Sequence, residues 1–319
     1  MQQGGTNVER TVRSTDKSTC RSARWRSPAK VNLCLRIVGR RNDGYHLLDS
    51  IFVPVDLCDR ISVRVNDLCR GGEATVRVRC RYPGVPEDAS NLAARAARAL
   101  LAEAGQGAKI EIAIEKRIPP GAGLGGGSGN AATVLNGLNA LLGLGLSEPR
   151  LGEIAIHLGA DVPFFLSARS SRVRGIGEDV QPIVGWPDLQ LVVAIPPLAV
   201  SSAWAFAAYR SVAIGEAGEE PVRLAAGAQP TADLLVNDLE RVVVPAFPAV
   251  GRLKRGLLEA GATAAVMSGS GSAVVAVAPS AAAARRIAGV AREEFPGVDV
   301  RPVGVFRSEH SCRRVRRGG

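Results

Sequence analysis

The feature that most constrains this chain is a glycine-rich segment at residues 119–129, PPGAGLGGGSG, called the glycine loop below. It follows residues 109–116, KIEIAIEK, in which apolar and charged side chains alternate as they do in a half-buried strand. It runs directly into residues 130–142, whose Ala, Leu and Val content favours a helix. Because a regular strand and a regular helix flank it, a flexible linker is a poor explanation, and we expect an ordered loop.

Residues 121–126, GAGLGG, satisfy the pattern G-x-G-x-x-G, for which three interpretations compete. A dinucleotide-binding fold needs a strand after the helix that ends in an acidic residue, but residues 143–149 lead into a second helix instead. A Walker A loop needs G-K-[ST], which the sequence lacks. Glycines also let backbone N–H groups approach an anion at the positive end of the following helix. The pattern therefore predicts a phosphate-binding loop of another kind.

Apolar periodicity predicts an irregular mixture of strands and helices. Strands are predicted at 29–38, 51–55, 59–65, 74–80, 109–116, 189–195, 264–267, 273–278 and 298–305, and helices at 91–104, 130–142, 148–158, 247–260 and 280–294. This order favours an α+β fold with two sheets over a parallel doubly wound sheet. Two domains are predicted, residues 25–185 and 186–306, between disordered basic tails at residues 1–24 and 307–319.

The formal net charge of +10 is concentrated at the two ends of the chain. Residues 1–26 carry six Lys or Arg against Glu9 and Asp16, and residues 307–319 carry five Arg against Glu309. A nucleic-acid-binding protein places its charge on a folded face, together with aromatic side chains for stacking. Aromatic residues make up only 4% of this sequence, so we interpret the ends as solvated tails and expect no nucleic-acid partner.

The cysteine spacing and the hydropathy of the sequence indicate the cellular compartment of the protein. The six cysteines show no C-x-x-C spacing, and with three histidines in the chain the pattern does not favour a zinc site or a disulfide framework. No apolar run reaches the roughly 18–20 residues of a membrane span, and the opening sequence, MQQGGTNVER, lacks the apolar core of a secretory signal. We therefore expect a cytoplasmic protein with reduced thiols and no membrane partner.

Two charged residues stand out against their surroundings. The chain uses 35 Arg but only five Lys, so Lys30 on an apolar strand indicates a need for a compact ammonium, although an edge-strand lysine that reaches solvent would look the same. Asp161 precedes Val162 and Pro163, which is the pattern of a helix N-cap, although a functional carboxylate would fit as well. The residues alone leave both pairs of alternatives open.

Three separate segments together resemble the GHMP kinases. They are residues 28–50 (PAKVNLCLRIVGRRNDGYHLLDS), residues 119–133 (PPGAGLGGGSGNAAT) with residues 158–163 (LGADVP), and residues 267–273 (MSGSGSA). The D-G-Y-H element at residues 43–46 is similar to the family members that phosphorylate a cytidine diphosphate derivative, and it separates the chain from homoserine, mevalonate and galactose kinases. The resemblance covers roughly residues 25–305.

The resemblance implies a two-domain GHMP kinase fold with the active site in the cleft between the domains, the first of which binds ATP. It implies ATP-dependent phosphorylation, with Mg²⁺, of the 2-hydroxyl of 4-diphosphocytidyl-2-C-methyl-D-erythritol in the non-mevalonate (methylerythritol phosphate) isoprenoid precursor pathway. The alternatives are another GHMP small-molecule kinase, such as a homoserine or sugar kinase, and a catalytically silent nucleotide-binding protein of the same fold. The sequence specifies neither the metal ligands nor the oligomeric state.

The resemblance also implies roles for single residues. Lys30 and Asp161 match the family's catalytic pair, in which Asp161 accepts the proton of the substrate hydroxyl and Lys30 stabilises the developing alkoxide. The residues implied in ATP binding are Asn91, Lys116, Pro119, Pro120, Gly121, Ala122, Gly123, Leu124, Gly125, Gly126, Gly127, Ser128 and Gly129, with Gly269 to Ser272 closing the phosphate region. Those implied in substrate binding are Asn32, Tyr45, His46, Ile176, Ser202 and Phe206.

Two of these aromatic residues also have a purely structural explanation, and at two other positions the residue differs from the one usual in the family. Tyr45 and His46 match positions that recognise the cytidine base by stacking and by hydrogen bonds, and Phe206 falls where a second aromatic ring completes the sandwich. Hairpin packing for Tyr45 and an ordinary core position for Phe206 are the alternatives. Gly129 stands where a second serine is usual, which removes a hydroxyl near the phosphates or metal, and Ser202 replaces a threonine but keeps its hydroxyl.

Overall fold

Two sheets organise the computed structural model, which describes residues 8–9, 20–209 and 232–307. The larger sheet has eight strands: β1 (Val8–Glu9), β2 (Arg21–Arg40), β3 (His46–Arg70), β4 (Thr75–Arg79), β5 (Gln106–Glu115), β6 (Ser171–Gly175), β7 (Asp179–Pro182) and β9 (Val236–Asn237). Its main path is β1-β2-β3-β5-β4, while β6 pairs with β3 and β7, and β9 pairs with β2. The smaller sheet, in the antiparallel order β10-β11-β8-β12, contains β8 (Gln190–Ile195), β10 (Ala264–Met267), β11 (Val274–Ala278) and β12 (Asp299–Gly304).

Eight α-helices cover these sheets within the described ranges. They are α1 (Leu92–Glu103), α2 (Gly126–Leu142), α3 (Glu148–Leu158), α4 (Val162–Ser167), α5 (Ser202–Tyr209), α6 (Glu240–Ala246), α7 (Pro248–Glu259) and α8 (Ala281–Glu294), and a 3-10 turn covers Ala232–Leu234. None of these helices is both long and apolar enough to cross a lipid bilayer. The expected α+β fold with two sheets is confirmed, whereas the division into domains at residue 185 stays a prediction.

The strands β2 and β3 form one hairpin of 20 and 25 residues. The sequence predicts shorter, separate strands here, at residues 29–38, 51–55 and 59–65. Antiparallel pairing continues past the ends of these predicted strands because the register shifts at three places, Pro28/Ala29, Asn32/Cys34 and Ile37/Gly39. The hairpin therefore spans both the packing region and the region of the candidate site.

Order begins earlier than the predicted end of the N-terminal tail at residue 24. The strand β2 starts at Arg21, and β1 pairs with Arg24 and Trp25. The physical reason is that alternate residues of this segment, Ala23 and Trp25, are buried in the core beneath α2. The rest of the predicted tails, residues 1–7, 10–19 and 308–319, lies outside the described residues.

The alternation of β2 separates the core from the candidate site. Ala29, Val31 and Leu33 are fully buried in the core that the two sheets share. Lys30 and Asn32 alternate with them in sequence and therefore lie on the opposite face of the strand. One strand thus contributes apolar packing on one face and polar groups on the other.

The inner strand β8 of the smaller sheet is buried on both faces. Leu191 and Val193 belong to the core between the sheets, together with Val53 and Val55 of β3. The alternate residue Val192 packs in a further core with residues of α7 and α8. Burial on both faces explains the uninterrupted apolar run of residues 189–195. It also holds the smaller sheet, with its connecting turns, against the hairpin.

Helix α2 begins at Gly126, earlier than the predicted start at residue 130. The N–H of Gly129 already donates to the carbonyl of Gly125 at 2.9 Å, so the first helical turn consists of three glycines and Ser128. Glycine has a low helix propensity, which is why the pattern places the start at the Ala-rich turn that follows. Tertiary contacts override that preference here.

Two helical glycines offer a matched test of this packing. A β-carbon at Gly137 of α2 would fall 2.6 Å from Cζ2 of Trp25, whereas one at Gly152 of α3 would have no heavy atom within 4 Å. We expect Gly137→Ala to destabilise the protein by about 1–3 kcal/mol through overpacking. We expect Gly152→Ala to stabilise it by about 0.5–1 kcal/mol, because alanine favours the helix. Denaturant unfolding measures both changes, and a gain at Gly137 or a loss at Gly152 would contradict the packing described.

Candidate active site

A cavity of about 760 Å³ opens where the glycine loop, the β2–β3 hairpin and the turn between β10 and β11 meet. The predicted site residues that line it are Lys30, Asn32, Tyr45, His46, Asn91, Lys116, residues 119–128, Asp161, Ile176, Ser202 and Phe206. Gly269 and Ser270 of the β10–β11 turn line it as well. The structure thus brings nearly all the predicted residues to one cavity, and Gly129, Gly271 and Ser272 are the exceptions.

The side chains of Lys30 and Asp161 meet at the wall of this cavity. Nζ of Lys30 lies 3.7 Å from Oδ2 of Asp161, and 33% of the Asp161 side chain is exposed. Asp161 occupies the N-cap position of α4, but its side chain makes no capping hydrogen bond there. The carboxylate therefore faces the ammonium instead of serving the helix, which favours the functional interpretation of Asp161.

Lys30 is buried and does not reach solvent from a sheet edge. Its side chain is 5% exposed, and its Nζ donates to Oδ1 of Asn32 at 2.6 Å. Burial lowers the pKa of Lys30, and the nearby charge of Asp161 opposes that shift. A buried ammonium acts on a neighbouring negative charge more strongly than one in water, because the surroundings screen it less.

Two glycines of the loop are required by its close contacts. Gly123 has a φ of 76°, and a β-carbon there would fall 2.3 Å from the carbonyl oxygen of Ser268. Gly125 has a φ of 67°, and a β-carbon there would fall 2.8 Å from Cζ of Phe165. A larger residue at either position would move the loop away from the β10–β11 turn or from α4.

Backbone hydrogen bonds tie the loop to both sheets. The N–H of Lys30 donates to the carbonyl of Leu124 at 3.0 Å, and the N–H of Ala273 donates to the carbonyl of Ala122 at 3.2 Å. These loop carbonyls are satisfied by the protein itself, so the conformation of the loop is fixed by the surrounding strands.

The loop ends at the N-terminus of α2, a helix of 17 residues. The first turn of any α-helix has amide groups without a helical acceptor, and the aligned peptide dipoles place partial positive charge there. Gly126, Gly127 and Ser128 form this turn and line the cavity. An anion in this part of the cavity would meet these amides, which is the arrangement that phosphate groups favour.

Gly129 packs against β2 and does not line the cavity. A β-carbon there would fall 2.8 Å from the carbonyl oxygen of Pro28 and 3.1 Å from Oγ of Ser27. The family's usual serine would crowd β2 in this chain, so the glycine at this position follows from packing. The structure does not place Gly129 with the other loop residues at the cavity.

Lys116, which directly follows β5, forms a buried ion pair with Asp59 of β3. Oδ1 of Asp59 also accepts hydrogen bonds from the N–H groups of Arg117 at 2.7 Å and Ile118 at 2.9 Å. Loss of Asp59 would leave an uncompensated ammonium buried beside the cavity. Asp59 was not predicted from the sequence, where its signal is a charge at the position that alternates with the buried apolar residues Leu57 and Ile61.

Two asparagines at the cavity wall differ in how their side chains are used. The Oδ1 atom of Asn91 accepts from the N–H of Ala93 at 2.9 Å and its Nδ2 donates to the carbonyl of Pro86 at 2.7 Å, so this predicted residue also caps α1. Asn130, which sequence analysis gave no role, is buried, and no described residue bonds its Oδ1. An unpaired buried acceptor at a cavity suits a donor group of a ligand.

Aromatic residues of the hairpin and α5 form another part of the wall. His46 stacks on Phe206, with ring centroids 5.4 Å apart and 27° between the planes, and Tyr209 meets the His46 ring edge-on at 6.2 Å. Tyr45 is 61% exposed, so it is not packed beneath the hairpin. Ile176 lines the same cavity from the turn after β6. Flat aromatic surface at a cavity wall suits a planar base.

The β10–β11 turn is held from two sides. The hydroxyl oxygens of Ser202 and Ser270 lie 2.7 Å apart in a hydrogen bond that links α5 to the turn. Nδ2 of Asn237 in β9 donates to the carbonyls of Met267 and Gly269, at 2.7 Å each. These contacts fix the turn at the cavity wall, and Asn237 is another residue that sequence analysis missed.

Two residues of β3 that were not predicted contact the site directly. Oγ of Ser50 accepts from Nδ2 of Asn32 at 2.9 Å, and the ring centroid of Phe52 lies 4.5 Å from Nζ of Lys30. Both alternate along the strand with His46, so they share its face. This alternation with His46 identifies Ser50 and Phe52 as site residues only if β3 is known to be continuous from residue 46 onward.

The described residues contain no group of three or more His, Cys, Asp or Glu side chains placed to hold a metal ion. The five cysteines in the described part of the chain are free thiols, and Cys312 lies outside it. Burial raises the pKa of Cys34 and of Cys58 to about 11, which keeps both thiols protonated near neutral pH.

Two family profiles match the chain. Residues 91–169 match the family described as GHMP kinases N terminal domain, and residues 223–297 match the family described as GHMP kinases C terminal. The first match contains the glycine loop and Asp161, and the second contains the β10–β11 turn.

Relatives extend the similarity over most of the chain. The 4-diphosphocytidyl-2-C-methyl-D-erythritol kinase of Geobacter metallireducens is 45% identical over 266 residues, which cover 83% of this chain and 92% of the relative. The enzyme of the same name from Geobacter sulfurreducens is 45% identical over 269 residues, which cover 84% of this chain and 94% of the relative. A crystal structure of 4-(cytidine 5'-diphospho)-2C-methyl-D-erythritol kinase matches with a TM-score of 0.74 at 35% identity, over 89% of this chain and 100% of that chain. The chain therefore belongs to the 4-diphosphocytidyl-2-C-methyl-D-erythritol kinase family of the GHMP kinases.

Proposed function

We propose that the protein transfers the terminal phosphoryl group of ATP to the 2-hydroxyl of 4-diphosphocytidyl-2-C-methyl-D-erythritol, in the cytoplasm, as a step of isoprenoid precursor synthesis. The observation that carries the proposal is the 3.7 Å approach of Nζ of Lys30 to Oδ2 of Asp161 in the cavity that the glycine loop lines. Phosphoryl transfer to an alcohol needs a base for the hydroxyl proton and a cation for the developing charge. Both groups stand here beside a helix N-terminus suited to phosphates.

Asp161 acts as the general base in this proposal. As the substrate oxygen bonds to the terminal phosphorus and the bond from that phosphorus to the ADP oxygen breaks, the hydroxyl proton passes to the Asp161 carboxylate. The exposed third of the side chain leaves it open to a substrate in the cavity. The missing capping hydrogen bond to α4 means that no helical amide competes for the same oxygen atoms.

Lys30 stabilises the negative charge that develops on the substrate oxygen. Its burial makes this interaction stronger than it would be in water. Its hydrogen bond to Asn32 limits the positions that the ammonium can take, so the charge is oriented before the substrate binds.

The first turn of α2 binds the phosphate groups of ATP through its amides, at Gly126, Gly127 and Ser128. Lys116 and Asn91 line the cavity near the same loop and contact the remainder of the nucleotide. Because the loop carbonyls are already bonded within the protein, little reorganisation is needed when ATP binds.

Mg²⁺ belongs to the proposal because it neutralises phosphate charge in transfers of this kind. The oxygen donors at the cavity fit such an ion. Ser128 supplies a hydroxyl in the first turn of α2, and Asp161 is the one carboxylate among the described residues that line the cavity. Mg²⁺ binds readily through few protein oxygens when phosphate oxygens and water complete its shell. Ser128 would then be its protein ligand.

Tyr45, His46 and Phe206 recognise the cytidine base in this proposal. The exposed ring of Tyr45 is free to stack on a base, and the stacked pair of His46 and Phe206 offers a second aromatic surface in the same cavity. Stacking alone does not distinguish one base from another, so hydrogen bonds from His46 would supply the selectivity.

A direct assay for the phosphorylated product tests the proposal. Wild-type protein with ATP, Mg²⁺ and 4-diphosphocytidyl-2-C-methyl-D-erythritol should form one ADP for each new phosphomonoester. Phosphorus NMR detects both products. Homoserine and galactose in place of the substrate should give no product. Preferential turnover of either one would favour another GHMP kinase activity, and ATP binding without any product would favour a catalytically silent protein.

The substitution Asp161→Asn removes the base while keeping the size of the side chain. We expect kcat to fall about 10²-fold or more, because an amide cannot accept the proton, while the affinity for ATP stays nearly unchanged. Steady-state kinetics and calorimetric titration with ATP measure the two quantities.

Asp188→Asn is the matched control, since it removes an exposed carboxylate that pairs with Arg307 and does not line the cavity. Its kcat should equal that of the wild type. Unchanged turnover in Asp161→Asn would show that another group takes the proton.

The substitution Tyr45→Ala tests recognition of the base. We expect the KM for the cytidine substrate to rise about tenfold or more, because stacking of a base on an aromatic ring contributes about 1–3 kcal/mol. The KM for ATP and the unfolding free energy should change little, since the ring is largely exposed. Tyr45→Phe keeps the ring and should restore the substrate KM. An equal loss for both substrates would instead assign Tyr45 a structural role.

A further inference from the structure

The ring of Phe52 lies directly beneath the buried ammonium of Lys30. The ring centroid is 4.5 Å from Nζ, and Phe52 is itself buried in the core. The face of an aromatic ring carries partial negative charge, so a cation at this distance is attracted to it, and the attraction increases when the pair is desolvated. The function proposed above gives this ring no role.

The Lys30 ammonium has few other stabilising contacts. An ammonium has three donors, and the described residues supply one hydrogen bond, to Asn32 at 2.6 Å. Asp161 is 3.7 Å away, which is beyond hydrogen-bond distance. Burial lowers the pKa of Lys30, and an aromatic face beside the ammonium opposes that shift by favouring the charged form.

The groups that face the ammonium can be followed element by element. They are Asn32 from β2, Phe52 from β3, Asp161 at the N-cap of α4 and Gly269 from the β10–β11 turn. Among these described neighbours, Asp161 has the only ionisable side chain. The ring and the Asn32 amide are thus the stabilising contacts of Lys30 whose strength does not change with pH.

Phe52 also contacts α4, the helix whose N-cap residue is Asp161. Phe52 meets Phe164 edge-on with centroids 5.2 Å apart, and Phe164 meets Phe165 in the same way at 5.0 Å. Both belong to α4, which begins directly after Asp161. Edge-to-face contacts of this kind hold the ring in one orientation. Phe52 therefore contacts the ammonium and the helix of its carboxylate partner at the same time.

We propose that Phe52 is a positioning residue for phosphoryl transfer, whose ring keeps the Lys30 ammonium charged and fixes it relative to Asp161. The catalytic consequence rests on the function proposed above, whereas the contact itself can be measured without turnover. The prediction concerns the pKa of Lys30 and the geometry of its side chain, and both have direct spectroscopic readouts.

Lysine NMR of the full-length protein is the test, because the chain has only five lysines. In selectively labelled wild type, the ε-methylene resonance of Lys30, assigned by its loss in Lys30→Arg, should lie upfield of the other four because of the ring current of Phe52. In Phe52→Leu this upfield displacement should disappear, and the measured pKa of Lys30 should fall by about one pH unit. Phe52→Tyr keeps the aromatic face and should restore both.

Phe164→Leu is the matched control for packing. It removes a buried ring of the same cluster that lies beside Phe52 and not beside the ammonium, so it should lower stability and lower the pKa of Lys30 by less than Phe52→Leu does. In activity assays Phe52→Leu should lower kcat about tenfold with little change in either KM. The alkaline limb of its pH–rate profile should move to lower pH, because the ammonium loses its proton earlier.

Two outcomes would overturn the proposal. One is a wild-type Lys30 resonance without an upfield displacement, a result that does not depend on any variant folding. The other is an equal fall of the Lys30 pKa in Phe52→Leu and Phe164→Leu, which would assign the effect to packing. A displaced resonance in a wild-type protein that phosphorylates no alcohol would support the contact and count against the proposed function alone.

Discussion

The burial of one ammonium beside a partly exposed carboxylate determines the arrangement of the cavity. A charged lysine is costly to bury unless neighbouring groups compensate for its lost hydration. Here Asn32, Phe52 and Asp161 provide a hydrogen bond, an aromatic face and an opposite charge. These groups come from two strands and a helix, so the pair exists only when the larger sheet and α4 are packed together. The chemistry of the site and the stability of the fold are linked at this point.

The hairpin and the core between the sheets make that packing possible. Ala29 and Val31 anchor β2 in the shared core, which directs Lys30 to the cavity. The same core holds the smaller sheet, whose β10–β11 turn contacts the glycine loop at Gly123. Loop, ammonium and carboxylate are therefore held in place by the protein before substrates bind. Such preorganisation is the main means by which a protein stabilises charge in phosphoryl transfer.

Local patterns in the sequence predict some parts of the site. The spacing of glycines predicts the loop, the scarcity of lysine draws attention to Lys30, and the family motif adds Asp161. Phe52 escapes prediction because its contact with Lys30 depends on the register of β2 against β3, which shifts at several places. Asp59 escapes it because its partners follow β5, so its contacts depend on the pairing of β3 with β5. The rotation of α2, which turns Gly129 toward β2, is likewise set by tertiary packing and not by propensity.

A double-mutant cycle on Lys30→Met and Asp161→Asn tests most directly whether the ammonium and the carboxylate act together on one hydroxyl. The measured quantity is kcat/KM for the cytidine substrate in the wild type, the two single variants and the double variant. Residues that act as a unit show strongly non-additive losses. The account predicts that the double variant loses about as much activity as the more impaired single variant. Losses that multiply would contradict it, because they would show that the two side chains act independently.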